Sequence, residues 1–432
     1  MLILIPPLLP RGRKGWFRPK HSSYKTNTLK APMDLTSAHP YWLLNNGLLH
    51  NYPHLDRHLE ADVTVIGGGI TGSLIAHKLT EIGKKVIVLD RRDIALGSTA
   101  ACTSLLQYEI DISLVDMVEK IGLENANRAY RLSHWSIDEL ARICSTLSPS
   151  VGFEKKTSIY LADTENAASD LKREFIARDA IGLDVELLDN TQIQNRFPLK
   201  GTAALVTNQA ATCDPHRLCH ELLQAAMSRG CQVYDRTEML KLETRNDKLV
   251  IRTSRGYDIT TTDIVMATGY EASDMLKEKV VDLDSTYALV SEPLDQSCPW
   301  KKDWILWQAQ TPYLYLRLTP DGRLMAGGED DEFQNPTLRD ASLPSKTKTI
   351  QRKLHDLLPG MVWEPEFSWA GTFGKTQDGL AYIGIPEEHP HIYFALGFGG
   401  NGVTFSCIAR DIIAAELQGQ PHPDADLFRF GR

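Results

Sequence analysis

The sequence lacks several features that define large classes of protein. Its 432 residues contain no run of about 18 or more apolar residues, so we expect no transmembrane helix. Lys and Arg (47) are outnumbered by Asp and Glu (55), and the net charge of −8 argues against nucleic acid or an anionic membrane as a general partner. Repeats and long low-complexity tracts are also missing. What remains is a globular chain long enough for about two to three domains.

Cysteine is sparse, with seven residues and no two of them in a C-x-x-C spacing. An odd and scattered set argues against a disulfide framework and against a structural zinc site, so we expect no metal. The same pattern is typical of a reducing compartment, and we predict a cytoplasmic location.

The first residues differ from the rest in composition. Residues 1–10 are apolar but contain three prolines, and residues 11–32 carry seven Lys or Arg and no acid. A secretory signal peptide has its charge before the apolar run, so this order argues against one. We predict that residues 1–32 form a disordered basic extension, with a targeting role as the alternative.

The most informative segment joins a β-branched run to a helix-compatible stretch. Residues 63–66 read Val-Thr-Val-Ile, and Gly67, Gly69 and Gly72 then follow the spacing G-x-G-x-x-G. In this spacing the first glycine allows a tight turn, the second lets the backbone approach a pyrophosphate, and the third lets helix and strand pack closely. We expect a diphosphate at the free N–H groups that open the helix.

A second strand, residues 85–89, completes the unit. It ends at Asp90, which lies 23 residues after Gly67, close to the ~20 expected of the acid that binds an adenosine ribose. Strand, turn, helix, strand and acid predict an adenine dinucleotide, with FAD and NAD both open. A surface Asp after an ordinary glycine turn is the alternative.

The order of further elements indicates the fold class. Helical periodicity at 112–147 precedes short strands, Asp214-Pro215 begins another helix, 237–265 reads as an antiparallel meander, and a terminal helix spans 403–417. We predict an α/β (α+β) fold, a discontinuous Rossmann-like domain with an inserted mixed or antiparallel β-sheet domain. The cofactor domain is assigned to 33–150, 201–275 and 361–432, and the substrate domain to 151–200 and 276–360.

Five pieces of the chain occur in a recognisable order. They are 67–72 with Asp90, the small-residue segment 97–101, Asp214-Pro215 with its helix and strand, 267–269, and the C-terminal segments 369–371, 378–384 and 397–402. Over about residues 60–418 this pattern resembles the D-amino-acid oxidase-like flavoproteins, the group that contains glycine oxidase and sarcosine oxidase. The resemblance implies FAD and the oxidation of an amine or amino acid. Since none of the cysteines matches a known attachment position, we expect noncovalent FAD.

A second glycine turn, 397–402, supports FAD over NAD on physical grounds. Free N–H groups at the start of the following helix would stabilise the negative charge that a reduced flavin ring gathers. The residues expected to contact FAD are Gly67, Gly69, Ile70, Thr71, Gly72, Asp90, Arg91, Ser98, Thr99, Ala100, Val233, Thr268, Gly269, Gly371, Gly399, Gly400, Asn401, Gly402 and Val403.

The usual carboxylate anchors implied by the resemblance are missing. Phe373 stands where amino-acid oxidases carry an arginine, and Thr404 stands where sarcosine-oxidase-like members carry a lysine. Arg317 remains, on one strand face with Tyr313 and Tyr315, and a solvated strand face is the alternative. The substrate candidates are Gln107, Tyr108, Tyr313, Tyr315, Arg317, Phe373 and Thr404, and the catalytic candidates are Tyr315, Arg317 and Glu109.

These observations predict a FAD-dependent oxidoreductase that oxidises a C–N bond by hydride transfer and gives an imine. Its expected partners are a small-molecule substrate and either oxygen or an electron carrier. Glu109 near the pocket would suit a cationic amine better than a carboxylate. The alternatives are a flavin-binding or interaction protein without turnover and, less favoured, an NAD-linked dehydrogenase.

Overall fold

A computed structural model describes residues 34–37, 39–295 and 298–432. The predicted basic extension, residues 1–32, lies outside the described residues. The helices are α1 (Tyr41–Asn46), α2 (Ile70–Glu81), α3 (Ser98–Ala101), α4 (Leu114–Ile121), α5 (Leu123–Cys144), α6 (Glu165–Ala180), α7 (Asn190–Arg196), α8 (Pro215–Ser228), α9 (Pro336–Leu357) and α10 (Gly402–Leu417). The strands are β1 (Leu59–Ile66), β2 (Val86–Leu89), β3 (Leu105–Gln107), β4 (Glu154–Ala162), β5 (Glu186–Asp189), β6 (Ala203–Thr212), β7 (Gln232–Tyr234), β8 (Met239–Arg245), β9 (Lys248–Thr253), β10 (Asp258–Met266), β11 (Asp282–Pro293), β12 (Trp304–Gln308), β13 (Leu314–Leu318), β14 (Arg323–Asp331), β15 (Pro365–Lys375), β16 (Tyr382–Gly384) and β17 (Ile392–Leu396).

The first sheet has the order β16-β17-β10-β1-β2-β7, with β9 on β10 and β8 on β9. Strands β17, β10, β1, β2 and β7 are parallel. The last four residues of β1 are all buried, as are all four of β2. Parallel strands are covered on both faces, which explains their continuous β-branched runs. One face packs against α2, α8 and α10.

The second sheet has the order β15-β11-β14-β13-β12-β4-β6-β3, with β5 on β6. Its pairs are antiparallel except for the parallel pair of β12 and β4. Residues of α9, among them Ile350 and Leu354, cover its outer face. The opposite face, here called the inner face, carries Trp369 and packs against Trp42 of α1.

The predicted fold class is confirmed, because the first sheet is assembled from separated parts of the chain and the second is mixed. The helix that begins at Asp214-Pro215 is also confirmed, with the Asp214 side chain accepting the N–H of Arg217 at 2.9 Å. Within the described ranges, no helix is both long enough and apolar enough to cross a membrane.

Three strands depart from the predicted boundaries. β3, β6 and β15 lie in ranges assigned to the cofactor domain, yet they pair within the second sheet. β6 pairs with β4 and β15 pairs with β11. These pairings join segments far apart in the chain, so composition alone does not reveal them. The predicted boundaries of the two domains therefore stay a prediction.

Candidate active site

The glycine turn after β1 is closed by contacts that exclude any side chain. Gly67 has a φ of +108°, and a Cβ built on it would meet the carbonyl oxygen of Ala267 at less than 3.0 Å. A Cβ on Gly72 would meet the carbonyl oxygen of Gly67, again at less than 3.0 Å. Real Cβ atoms do not come this close, so β1, β10 and α2 can meet here only through glycine.

The start of α2 offers unused hydrogen-bond donors. In the part of the chain that the structure describes, the N–H groups of Gly69, Thr71 and Gly72 have no acceptor. The first turn of α2 also contains no acidic residue. Free donors at an unneutralised helix N-terminus fit a diphosphate. These residues therefore match the predicted site for the pyrophosphate of FAD.

Asp90, at the end of β2, faces this turn. Its Oδ2 accepts the N–H of Gly68 and its Oδ1 accepts the N–H of Arg92, both at 2.8 Å. Burial raises the pKa of Asp90 to about 6. Each carboxylate oxygen can accept a further hydrogen bond, so ribose hydroxyls still fit. Arg91 is also a predicted FAD contact, and its guanidinium forms an ion pair with Glu271.

The short helix α3 supports the start of α2. The Oγ1 of Thr99 accepts the N–H of Ile70 at 3.0 Å. Ala100 is buried and Ser98 is exposed. Of the three candidates in α3, Thr99 thus fixes the glycine turn, while Ser98 keeps a free surface for a ligand.

The other end of α3 contacts the inner face of the second sheet. The indole N–H of Trp369 donates to the carbonyl of Ala101 at 2.9 Å. A Cβ on Gly371 would lie 3.9 Å from the Cβ of Ala101. This contact places Gly371, a predicted FAD contact, beside the segment that holds the glycine turn.

Three further cofactor candidates lie in or just after strands of the first sheet. Val233 of β7 is opposite Val88 of β2, and its side chain packs in the core. Only its backbone is therefore left for an adenine. Thr268 and Gly269 follow β10 next to Ala267, which contacts the turn at Gly67.

The C-terminal glycine turn leads into α10. The N–H of Gly400 donates to the Oδ2 of Asp111 at 2.7 Å, and that of Asn401 donates to a carbonyl three residues earlier. Among the described residues, the N–H groups of Gly402 and Val403 have no acceptor. Of Asn401, Gly402 and Val403, the three residues expected to donate to the flavin ring, Asn401 is used by the turn, and two donors remain for a ring oxygen.

The two glycine turns meet. The hydroxyls of Thr71 and Ser406 lie 2.7 Å apart, and they belong to the first turn of α2 and the second turn of α10. Both helix N-termini therefore open onto one region, with the donors of α2 for a diphosphate and those of α10 for a second, distant acceptor.

Four aromatic side chains form a wall on the inner face of the second sheet. Tyr315 is opposite Trp307, and Trp307 is opposite Tyr160, in register. The Tyr160 and Trp307 rings stack at 3.6 Å, and the Tyr313 and Tyr315 rings lie 6.2 Å apart. All four are half-buried. We call this set the aromatic wall. Tyr313 and Tyr315 are expected from the alternation of their strand, whereas Tyr160 and Trp307 are not, because the register between strands is not visible in the sequence.

Three carboxylates border the aromatic wall, and we call Asp111, Asp284 and Asp330 the acidic group. Asp330 interacts with the hydroxyls of Tyr313 and Thr286, and its Oδ1 has no hydrogen-bond partner among the described residues. Asp111 and Asp330 influence each other electrostatically. Burial raises the pKa of Asp330, whereas Asp111 is an exposed residue beside the turn.

Lys375 forms an ion pair with the acidic group, and no other cation does so among the described residues. It pairs with Asp284, whose carboxylate is buried. We call the region bounded by the aromatic wall, the acidic group and the Gly399–Gly400 turn the recess. A Cβ on Gly400 would lie 2.7 Å from the Oδ1 of Asp111, so this carboxylate rests directly on the turn.

Arg317 does not open onto the recess, which corrects its expected role. Its side chain is 1 % exposed, and its Nη1 donates to the carbonyls of Ser104 at 2.8 Å and Cys213 at 3.3 Å. Its guanidinium also lies 5.3 Å from the ring centroid of Trp42. The alternation of β13 was predicted correctly, but α1 covers this end of the inner face.

Tyr108 and Glu109 are buried, and their common partner Arg178 lies against Tyr160 of the aromatic wall. The Arg178 guanidinium donates to the Tyr108 hydroxyl and to the Glu109 Oε1, both at 3.3 Å. Glu109 thus completes a buried ion pair through its Oε1, while its Oε2 has no hydrogen-bond partner among the described residues, and its role toward a substrate amine stays a prediction. Gln107 is half-buried, and its carbonyl accepts from the Asn401 side chain at 3.5 Å.

The two positions that lack the family's anchors differ in their surroundings. Phe373 is half-buried on the inner face, opposite Asp284 of β11. Thr404 is buried, and its hydroxyl donates to the carbonyl of Asn401 at 2.9 Å, inside the first turn of α10. Phe373 therefore borders the recess, whereas the hydroxyl of Thr404 is used by a hydrogen bond within α10.

Known proteins share this architecture. Glycine oxidase of Geobacillus kaustophilus is 24% identical over 85% of this chain and 96% of its own length. Gamma-glutamylputrescine oxidoreductase of Escherichia coli is 23% identical over 87% of this chain and 86% of its own. The crystal structure of the Geobacillus kaustophilus glycine oxidase matches with a TM-score of 0.74 and 19% identity, covering 87% of this chain and 99% of that one.

A family model gives the assignment. The model described as DAO, FAD dependent oxidoreductase, matches residues 62–416, which include both glycine turns, the acidic group and the aromatic wall. The donors left free at α2 and α10 fit the cofactor that this family binds. The chain belongs to the DAO family of FAD-dependent oxidoreductases.

Proposed function

We propose that this protein oxidises a C–N bond of an amine or amino-acid-like substrate and releases an imine. The observation that carries the proposal is that Asp111 links the two parts of the site. It accepts the N–H of Gly400 in the turn before α10, and it interacts electrostatically with Tyr313 of the aromatic wall. Relatives named glycine oxidase and gamma-glutamylputrescine oxidoreductase support this reaction class.

Residues of both sheets have separate tasks in this proposal. FAD, when bound, supplies the acceptor of the hydride. Gly69, Thr71 and Gly72 hold its diphosphate, and Asp90 holds a ribose. The N–H groups at the start of α10 hold the negative charge that develops at the ring.

The substrate enters the reaction as a neutral amine. Its α-carbon loses a hydride with the bonding electron pair, its nitrogen loses a proton, and a C=N double bond forms. Water then hydrolyses the imine. The aromatic wall keeps bulk water from the reacting carbon, and the chain supplies orientation more than acid–base chemistry.

We further propose noncovalent FAD and a cytoplasmic location. All seven cysteines are free, and five of them are buried, which suits a reducing compartment. Acid precipitation should leave the yellow colour in the supernatant, and fractionation of the natural source should place the protein with cytoplasmic markers. An oxygen electrode then decides between oxygen and an electron carrier as the final acceptor.

The experiment that tests the reaction is anaerobic titration of the FAD-loaded protein with a panel of amines and amino acids. Bleaching of the flavin absorbance by at least one compound, with an imine-derived carbonyl product, is the expected result. A flavin that no compound reduces would favour a binding protein without turnover, for which the missing arginine at Phe373 is the argument.

A further inference from the structure

Carboxylates outnumber cations around the recess. Asp111, Asp284 and Asp330 border it, and Lys375 is already paired with Asp284. Arg317, the cation expected to bind a substrate carboxylate, is held by two backbone carbonyls beneath Trp42. A substrate carboxylate would therefore meet carboxylates without a free guanidinium among these groups.

Asp330 is the least satisfied of these acids. Its Oδ1 is buried without a hydrogen-bond partner among the described residues, although its neighbours include the hydroxyls of Tyr313 and Thr286. The next residue, Asp331, points to the other face and pairs with Lys346. A buried carboxylate oxygen without a donor is costly, and a bound cation with N–H groups would satisfy it.

The aromatic wall adds a second feature that suits a cation. Tyr313 and Tyr315 interact with Asp330, and the stacked rings of Trp307 and Tyr160 continue the wall from Tyr315 across the next two strands of the inner face. Ammonium groups are attracted to such ring faces within about 6 Å, most strongly for Trp, and the attraction grows when water is excluded. An acid next to an aromatic surface recognises a substituted ammonium and repels a carboxylate.

The charge behind the wall does not reverse this preference. The Arg178 guanidinium lies 5.9 Å from the Tyr160 ring centroid, but it is shared by the carboxylates of Glu174 and Glu109. One buried cation between two acids leaves no positive charge to attract a carboxylate through the wall.

We infer that the substrate carries a second, cationic amino group that Asp330 and Asp111 bind beside the aromatic wall, so that the preferred substrates are α,ω-diamines or their N-alkylated forms. The inference rests on the proposed function, since it names the substrate class of the same site. The neutral amino group gives up the hydride, and the charged one anchors the molecule.

The test compares three matched compounds at each chain length from three to six carbons: the α,ω-diamine, the monoamine and the ω-amino acid. Calorimetry on the FAD-loaded protein under anaerobic conditions gives each Kd, and the bleaching rate is read in parallel. At one or more lengths the diamine should bind at least about tenfold more tightly than the monoamine, with the amino acid weakest.

Two variants assign the effect to residues. Asp330→Asn should reduce the diamine-to-monoamine ratio towards one and leave the monoamine Kd within about twofold, and Asp111→Asn should act in the same direction. Glu332→Gln removes the same charge from an exposed position two residues away and should keep the ratio. Retained FAD content and circular dichroism show that each variant is folded.

The outcomes separate the two proposals. If ω-amino acids bind more tightly than diamines at every length, or if Asp330→Asn and Asp111→Asn both leave the ratio unchanged, the inference about the cation is overturned. If the diamines bind in the expected order but no compound bleaches the flavin, recognition of the cation stands and the proposed reaction fails.

Discussion

At the scale of single residues, the glycine turn is the most sharply constrained part of the molecule. Gly72→Ala would place a methyl group against the carbonyl oxygen of Gly67. We expect a loss of about 1–3 kcal/mol in the free energy of unfolding, because the backbone must move, and a weaker affinity for FAD. Denaturant unfolding of the FAD-free protein and flavin fluorescence titration measure the two effects.

Gly402→Ala is the matched control for this prediction. Gly402 begins α10, has no atom within 4 Å of a built Cβ, and lacks a positive φ. In a helix, alanine is favoured over glycine by roughly 0.5–1 kcal/mol, so the FAD-free variant should be as stable as the parent or slightly more. Equal destabilisation by both substitutions would contradict the steric argument.

Asp90 gives a prediction about pH. Burial, with a contribution from Glu271, raises its pKa to about 6 from an ordinary 3.8, while the Gly68 and Arg92 N–H groups and the Arg92 charge oppose the rise. The folded protein thus holds this proton at a higher pH than the unfolded chain does. Stability contributed by Asp90 is lost as the pH rises from about 4 to about 6.

Asp90→Asn removes this titration. The melting temperature of the FAD-free variant minus that of the parent should therefore rise across the same interval of pH 4 to 6 and stay level above it. Differential scanning calorimetry at closely spaced pH values checks this. A difference that is constant with pH would show that Asp90 titrates with its ordinary pKa.

At the scale of elements, a buried ion pair ties α6 to the start of α4. Glu174 accepts the N–H groups of Leu114 and Val115 and pairs with Arg178 at 2.7 Å. Arg178→Leu would leave Glu174 and Glu109 buried without their cation, which we expect to cost about 3–5 kcal/mol of unfolding free energy.

The control lies on the same helix. Arg173 is exposed and pairs with Asp170 three residues earlier. Arg173→Leu should change the unfolding free energy by less than about 1 kcal/mol, because exposed ion pairs contribute little. Urea titrations of both variants supply the comparison, and similar losses in the two would refute the role assigned to the buried pair.

The contact between α2 and α10 can be measured as a coupling. The Thr71 and Ser406 hydroxyls share a hydrogen bond in a buried position. A double-mutant cycle of Thr71→Val and Ser406→Ala should give a coupling of about 0.5–1.5 kcal/mol in unfolding free energy. A coupling near zero would mean that the two helix N-termini are held together by packing alone.

At the scale of the whole molecule, FAD should stabilise the fold. Both glycine turns bind it only when they are assembled, so FAD bound at 100 times its Kd adds about 2.7 kcal/mol. Removing the cofactor should lower the melting temperature, and adding FAD should restore it in a concentration-dependent way. AMP, which occupies only the Asp90 end, should restore less. A melting temperature that does not depend on FAD would contradict a single FAD site formed by both glycine turns.

How much the sequence predicts depends on how local the determinant is. Gly67, Gly72 and Asp90 follow a fixed spacing within one segment, and the fold class and FAD follow from them and from the C-terminal turn. The burial and the hydrogen bonds of the Arg317 side chain depend on Trp42 and Cys213, which are distant in sequence. No periodicity within β13 reveals what covers its end.

The recess was the hardest part to predict for the same reason. Trp307 joins Tyr315 and Tyr160 only through the register of three strands. Likewise, Asp330 and Asp331 are adjacent acids that point to opposite faces of the sheet. A register shift between β11 and β14, near Ser285 and Tyr287, determines which of the two lies on the inner face. Pairing and bulges are set by tertiary contacts, so the sequence shows the acids without showing which one faces the substrate.

The hydrogen bond between Thr71 and Ser406 has a consequence for how the protein is made. Its partners are 335 residues apart, and ribosomes add about 5–20 residues per second, so roughly 20 to 70 s separate their synthesis. During that interval β10 must also be made before the first glycine turn can close against Ala267, and the start of α10 is still missing. A chain released before α10 emerges would therefore lack part of its FAD site. We expect FAD, and with it the yellow colour, to be bound stably only after α10 has been synthesised.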